Sequence, residues 1–206
     1  MAFLIFSRIG STCGGLFSAL LLRWGMRGLL LRLLASMLIA PAAVPAQDSR
    51  APEPALKAAF IYNFLQFVTW PENAFSGLED PLVIGVVGET PVLQALRRDV
   101  EGKTVSGRKI VVRQVRNLPP EGVHVLFVAG NERRRLPQIL ESVEGHPVLT
   151  VGETDQFAQE GGIINFFQVQ NKIHFEINPL AAERSGLKIS SRLLKLARIV
   201  SSETLR

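Results

Sequence analysis

The chain has 206 residues, 47% of them hydrophobic, with 23 Lys and Arg against 18 Asp and Glu. The first 46 residues hold four Arg and no acid, so residues 47–206 carry 19 basic against 18 acidic groups, a net charge of +1 that excludes a nucleic-acid role argued from bulk charge. The single cysteine, Cys13, also lies in that first segment, which leaves residues 47–206 without a thiol for a disulfide, a metal or a nucleophile.

Residues 1–46 read as a secretory signal: basic residues (Arg8, Arg23, Arg27, Arg32), apolar runs, and small residues Val44 and Ala46 before a cleavage expected between Ala46 and Gln47. Met26 makes a tidier start, because the stretch from Met26 to Ala46 has by itself the basic, apolar and small-residue parts of such a signal. The competing reading is a retained anchor across residues 16–39, against which stand Arg23, Arg27 and Arg32. Gln47 to Pro54, with two prolines among polar residues, reads as a flexible lead-in to a single domain over residues 55–206.

Leu56, Phe60, Phe64, Phe67 and Val68 recur at helical spacing, predicting a helix from Ala55 to Trp70 that Pro71 ends. Pro81–Val87 is a continuous apolar run of strand length, as expected for a strand buried on both faces of a parallel sheet, and Pro91–Arg98 follows as a helix. Further strands are predicted at Ile110–Val115, Val123–Ala129 and Pro147–Val151, with a helix presenting Leu136, Ile139 and Leu140 between the last two. A hairpin follows: Gly162–Val169, a turn at Gln170 and Asn171, and Lys172–Asn178 with Ile173, Phe175 and Ile177 on one face and Lys172, His174 and Glu176 on the other. Asn178, Pro179 and Gly186 frame a short helix as cap, first-turn proline and terminating glycine. A last helix is expected after Ser190, burying Ile189, Leu193, Leu196, Ala197 and Val200 and exposing Arg192, Lys195 and Arg198. The fold class is α/β: one domain with a mixed, mostly parallel sheet, helices on both faces, and a C-terminal antiparallel hairpin plus helix.

Three segments, Leu56–Glu72, Phe157–Phe166 and Lys172–Val200, taken in order, resemble the YfiR family (DUF4154 type) of small exported bacterial regulators. The resemblance implies a periplasmic protein that binds the periplasmic sensory part of an inner-membrane diguanylate cyclase, a GGDEF-domain protein, and holds it inactive, lowering cyclic di-GMP and bearing on biofilm formation. It also implies that an outer-membrane lipoprotein can sequester the regulator, and it leaves a homodimer open. Some members carry stabilising cysteine pairs; this chain departs from them, so redox control is not expected. The alternative from another class is a small-molecule-binding sensor module that reports to a membrane kinase or another receptor.

The sequence Val-Gly-Glu-Thr occurs at residues 87–90 and 151–154, each copy after a strand, which places Thr90 and Thr154 as expected helix caps and Glu89 and Glu153 at the ligand-binding edge of a parallel sheet. Arg133 and Arg134 follow a third strand, so these six residues make a candidate crevice for a small ligand, against which stands ordinary turn chemistry beside a solvated face. A second candidate ligand or partner face joins Trp70, Lys172, His174 and Glu176, and a third, for an acidic partner or lipid headgroups, is the basic stripe Arg192, Lys195 and Arg198. No enzyme is expected: His124, His146 and His174 lack metal-ligand spacing, and there is no nucleophile elbow, phosphate loop or dinucleotide fingerprint. Neither a cofactor nor a metal is implied. His124, within an apolar strand, reads as a hydrogen-bonded core residue.

Overall fold

The computed structural model describes residues 51–77 and 79–201. The expectations about the signal segment, its cleavage after Ala46 and a start at Met26 lie outside the described residues. Helix α1 (Glu53–Leu65) starts the described chain with a proline in its first turn and Glu53 at its positive end, where a carboxylate is favoured. Its apolar face buries Ala58, Ile61, Phe64 and Leu65.

Among the described residues eight strands form the main sheet, in the order β10 (Arg198–Ile199), β8 (Lys172–Ile177), β7 (Ile164–Val169), β6 (Leu149–Gly152), β5 (Val125–Val128), β2 (Leu82–Val87), β4 (Arg108–Val115) and β3 (Thr104–Val105). At its centre β2 runs parallel to β4 and β5, and β6 continues the parallel set to β7. All six residues of β2 are buried, as the unbroken apolar run predicts. Alternation splits its side chains between two cores. Leu82, Ile84 and Val86 join Val125, Phe127, Leu149 and Val151 under α1 and α2 (Pro91–Asp99), whereas Val83 and Val87 join Leu126 and Val128 under α3 (Leu136–Glu141). Helices therefore cover both faces. Both cores lie within one compact unit, Arg50–Arg206.

The hairpin forms where predicted. Strand β8 (Lys172–Ile177) pairs antiparallel to β7, and Gln170 and Asn171, with φ of 49° and 60°, supply the two left-handed residues of a tight two-residue loop whose twist matches the strands. Asn178 caps α4 (Pro179–Arg184) by accepting from the Ala181 N–H at 3.0 Å. Its amide also donates to the Ala158 carbonyl at 2.7 Å, which ties the helix start to the turn after β6.

Two predicted helices are corrected. The first ends at Leu65, not at Trp70, because Val68 and Thr69 form β1, which pairs with β9 (Lys188–Ile189) in a separate ribbon. The periodicity of Phe67 and Val68 is real, but the ribbon captures their backbone. The last helix shrinks to α5 (Ser191–Leu194), and Arg198–Ile199 instead make β10, a parallel edge strand beside β8. Leu193 is buried as expected and Ile189 and Ala197 pack against the core, yet Leu196 is 73% exposed, so the expected apolar stripe is broken at Leu196. The remaining short strand, β3 (Thr104–Val105), folds back on the start of β4.

Candidate functional site

The carboxyl ends of β2, β5 and β6 meet at one edge, as their parallel pairing requires. After β2 the chain turns at Gly88 with φ of +90°, where a Cβ would come within 2.6 Å of Asn131 Oδ1, so only glycine is accommodated. Thr90 then caps α2, accepting from the Val92 N–H at 3.2 Å. The second copy of the repeat behaves differently and is a correction: Thr154 opens a series of turns, not a helix, and its buried hydroxyl has no hydrogen-bond partner among the described residues. Phe157 explains the departure, since its ring packs against Gly152 and Gly162 and draws the chain back over the sheet.

Glu153 is the centre of the edge. Its carboxylate accepts from the Gly130 N–H at 3.0 Å and from Lys57 Nζ at 2.6 Å, and Lys57 also reaches Glu53 at 2.6 Å. Burial alone would lower the Lys57 pKa, but hydrogen bonds and charge from Glu153 and Glu53 outweigh it and hold the pKa above 10.5. The Lys57 hydrogen bond in turn lowers the Glu53 pKa, against a smaller opposing effect of burial. Above this chain of charges opens a crevice of about 590 Å³, walled by Thr90, Val92, Phe166, Phe167 and Ile173, a volume suited to a small molecule.

Of the six predicted crevice residues, the structure brings Thr90 and Glu153 to its wall. Glu89 is exposed, its carbonyl taken by the Asn131 side chain at 3.2 Å. Arg133 is engaged elsewhere, donating to the Asp155 carbonyl at 2.6 Å and pairing with Glu160 at 2.7 Å. Arg134 is exposed in the six-residue 3-10 segment Gly130–Arg135, not in the crevice wall. Thr154 is buried beneath. The wall instead carries Lys57 against Glu53, Glu153 and Asp155, an acidic balance that opposes a free anion. Lys57 escaped sequence reasoning; the signal was a lone Lys on the apolar side of α1, one turn after Glu53.

The second candidate face is divided. Trp70 donates to the His124 carbonyl at 3.2 Å, just before β5 begins, whereas His174 lies near the hairpin tip opposite Phe167, at the other edge of the sheet. Lys172 and His174 are exposed, but Glu176 is only 1% exposed, so the three do not form one accessible face. Glu176 accepts from Asn165 Nδ2 at 3.1 Å and from Arg198 Nε at 3.0 Å, and the Arg198 guanidinium lies 4.0 Å over the Phe167 ring. The three residues of the basic stripe are exposed as expected, but not on one helix: Arg192 is on α5, Lys195 closes it, and Arg198 belongs to β10, fastened to Glu176.

His124 is held as predicted. Its Nδ1 accepts from the Val83 N–H at 3.1 Å and its Nε2 donates to the Ala74 carbonyl at 3.0 Å, which fixes a neutral tautomer stacked on Phe75. Burial lowers its pKa, with the Ala74 hydrogen bond opposing and Arg108 adding to the effect.

Comparison with known families matches residues 54–198 to the family described as DUF4154, YfiR/HmsC-like. The chain belongs to the YfiR/HmsC-like family. The match runs from α1 to β10 and so takes in the crevice, both cores and the Glu176–Arg198 clamp. Membership supports a regulatory role in general. Among the described residues no group of three or more His, Cys, Asp or Glu side chains is placed to hold a metal ion, and no helix is long and apolar enough to cross a membrane.

Proposed function

We propose that this chain is an exported regulator that binds the periplasmic sensory part of an inner-membrane diguanylate cyclase and holds it inactive. The observation that carries the reading is the family match over residues 54–198, nearly the whole described fold. The signal-like residues 1–46 agree with export, with cleavage after Ala46. On this reading the protein acts by binding and is not an enzyme. Repression is a population shift: near-complete switching needs preference for the inactive cyclase by about 5.5 kcal/mol. Sequestration by an outer-membrane lipoprotein would release the cyclase by mass action.

The test is cellular cyclic di-GMP in a deletion strain, complemented by the full-length gene or by one lacking residues 1–46. A rise on deletion that only the full-length gene reverses supports the proposal; unchanged cyclic di-GMP in cells that express the protein overturns it. The crevice at the strand ends favours a second reading, a small-molecule sensor module reporting to a membrane kinase or another receptor. Its mark is a metabolite that raises the melting temperature saturably, with the effect lost when Thr90 and Glu153 are replaced.

A further inference from the structure

Charge in residues 47–206 is unevenly placed. The segment Arg97–Arg116 contains seven basic and two acidic residues, whereas the rest of residues 47–206 holds twelve basic against sixteen acidic. This segment builds the β3–β4 end of the sheet. Lys109, Val111 and Arg113 alternate along one face of β4 and are all exposed, Val111 by 38%. Ile110 and Val112 point to the opposite face and are buried.

The outer edge of β4 is only half covered. Ile110 exchanges hydrogen bonds with the carbonyl of Lys103 and the N–H of Gly102, and β3 pairs only with Arg108 and Lys109. Beyond Ile110 no strand among the described residues pairs on that side. By alternation the backbone groups of Val112 and Gln114 face outward there. The Val112 N–H is met at 3.4 Å by the exposed carboxylate of Glu101, a long contact that an incoming strand carbonyl can replace.

We infer that the open edge of β4, from Val111 to Val115, is a docking surface for an extended acidic segment of a protein partner, which adds as a further strand. Backbone groups at Val112 and Gln114 supply the ladder; Arg113, which also donates to the Glu121 carbonyl, pairs with an acidic side chain facing it, and Lys109, whose own outer neighbour is Thr104 of β3, reaches one diagonally across the strand pair. The matching segment alternates acidic residues, set beside Val111 and Arg113, with apolar residues set beside Val112 and Gln114. The same basic charges repel a second copy of this edge, which explains how an open strand avoids self-pairing. The inference is independent of which protein the regulator controls.

The test uses the compact unit Arg50–Arg206 with a synthetic peptide of about nine residues alternating Glu and Val, and a Lys-for-Glu analogue as control. Backbone amide NMR is expected to show saturable shifts in β4 and slowed exchange at Gln114 with the acidic peptide only. Gln114→Pro removes the outward donor and keeps the charge; the pair Lys109→Glu and Arg113→Glu reverses the charge and keeps the edge. Each is expected to weaken binding by about tenfold or more, equivalent to about 1.4 kcal/mol. Absent binding, shifts confined to another surface, or undiminished binding by a folded Gln114→Pro variant would overturn the inference. The last result would mean that the peptide is held by charge alone. Amide mapping on the wild type keeps the test decisive should either variant fail to fold.

Discussion

Replacing Lys57 with Met preserves most of the buried stem and removes one charge from the middle of the Glu53–Lys57–Glu153 chain. Breaking a fully buried pair costs about 3–5 kcal/mol, because the surviving charge is left without a partner. Here the Glu153 side chain is 17% exposed and keeps the Gly130 N–H, so the expected cost is lower, about 2–3 kcal/mol. For a domain of this size that is a fall in melting temperature of roughly 5–10 °C. Unfolding of Arg50–Arg206 in heat or urea can be followed by fluorescence of Trp70, the only tryptophan in that unit. The pH dependence carries the sharper test. Glu53 has a lowered pKa, so its contribution is present above 4.5 and is lost as the pH falls through its folded value. Lys57 has a raised pKa, so its contribution is complete below 10.5 and is lost as the pH rises through its higher folded value. The gap between wild type and Lys57→Met should be widest between these limits and narrow on both sides. Adding Glu153→Gln should restore part of the loss, since an amide still accepts from Gly130 and leaves no buried charge. A variant that melts with the wild type, or a gap that stays constant with pH, would refute this account of the crevice wall.

For His124, whose pKa burial lowers, stability is full above 6.5 and is lost as the pH falls through the folded value; His124→Gln should flatten the decline in melting temperature between pH 7 and 5 at a cost of about 1–2 kcal/mol at neutral pH. Gly152→Ala places a Cβ into the Phe157 ring and should cost about 1–3 kcal/mol; combined with Phe157→Leu, chemical denaturation should show less loss than the two single changes summed. Arg198→Ala removes the cation from Glu176 and should loosen β10, so hydrogen exchange at the Val200 amide, bonded at 2.9 Å to the Ile177 carbonyl, should accelerate; unchanged exchange would show that the strand pairing suffices without the clamp.

The readings that held rest on local rules. A six-residue apolar run such as Leu82–Val87 has few alternatives to a strand buried on both faces, and Asn178-Pro179 with Gly186 encodes a helix by cap chemistry that needs no distant partner. The Gln170-Asn171 turn was legible for the same reason. The two helix ends that were misread are those in which two periodicities compete. Phe67-Val68 and Leu196 to Val200 satisfy a helical spacing, yet each segment lies within reach of an unpaired strand edge, Val68 at Ile189 and Arg198 at Glu176. The crevice was partly legible from its glycine-containing turns, but the identity of its cation was not.

What the sequence determined by itself is most of the alternation of strands and helices, the hairpin turn and the lack of a thiol in residues 47–206, because each depends on residue type at fixed short spacing; the family was legible separately, as a resemblance of three ordered segments that the match over residues 54–198 bears out. Tertiary structure alone decided that Lys57 lies between Glu53 and Glu153, that Glu176 is buried beneath Arg198, and that β4 is left half open. These are encounters between residues far apart in the chain, where the competition between burial, charge pairing and free backbone groups is settled only once the sheet has assembled.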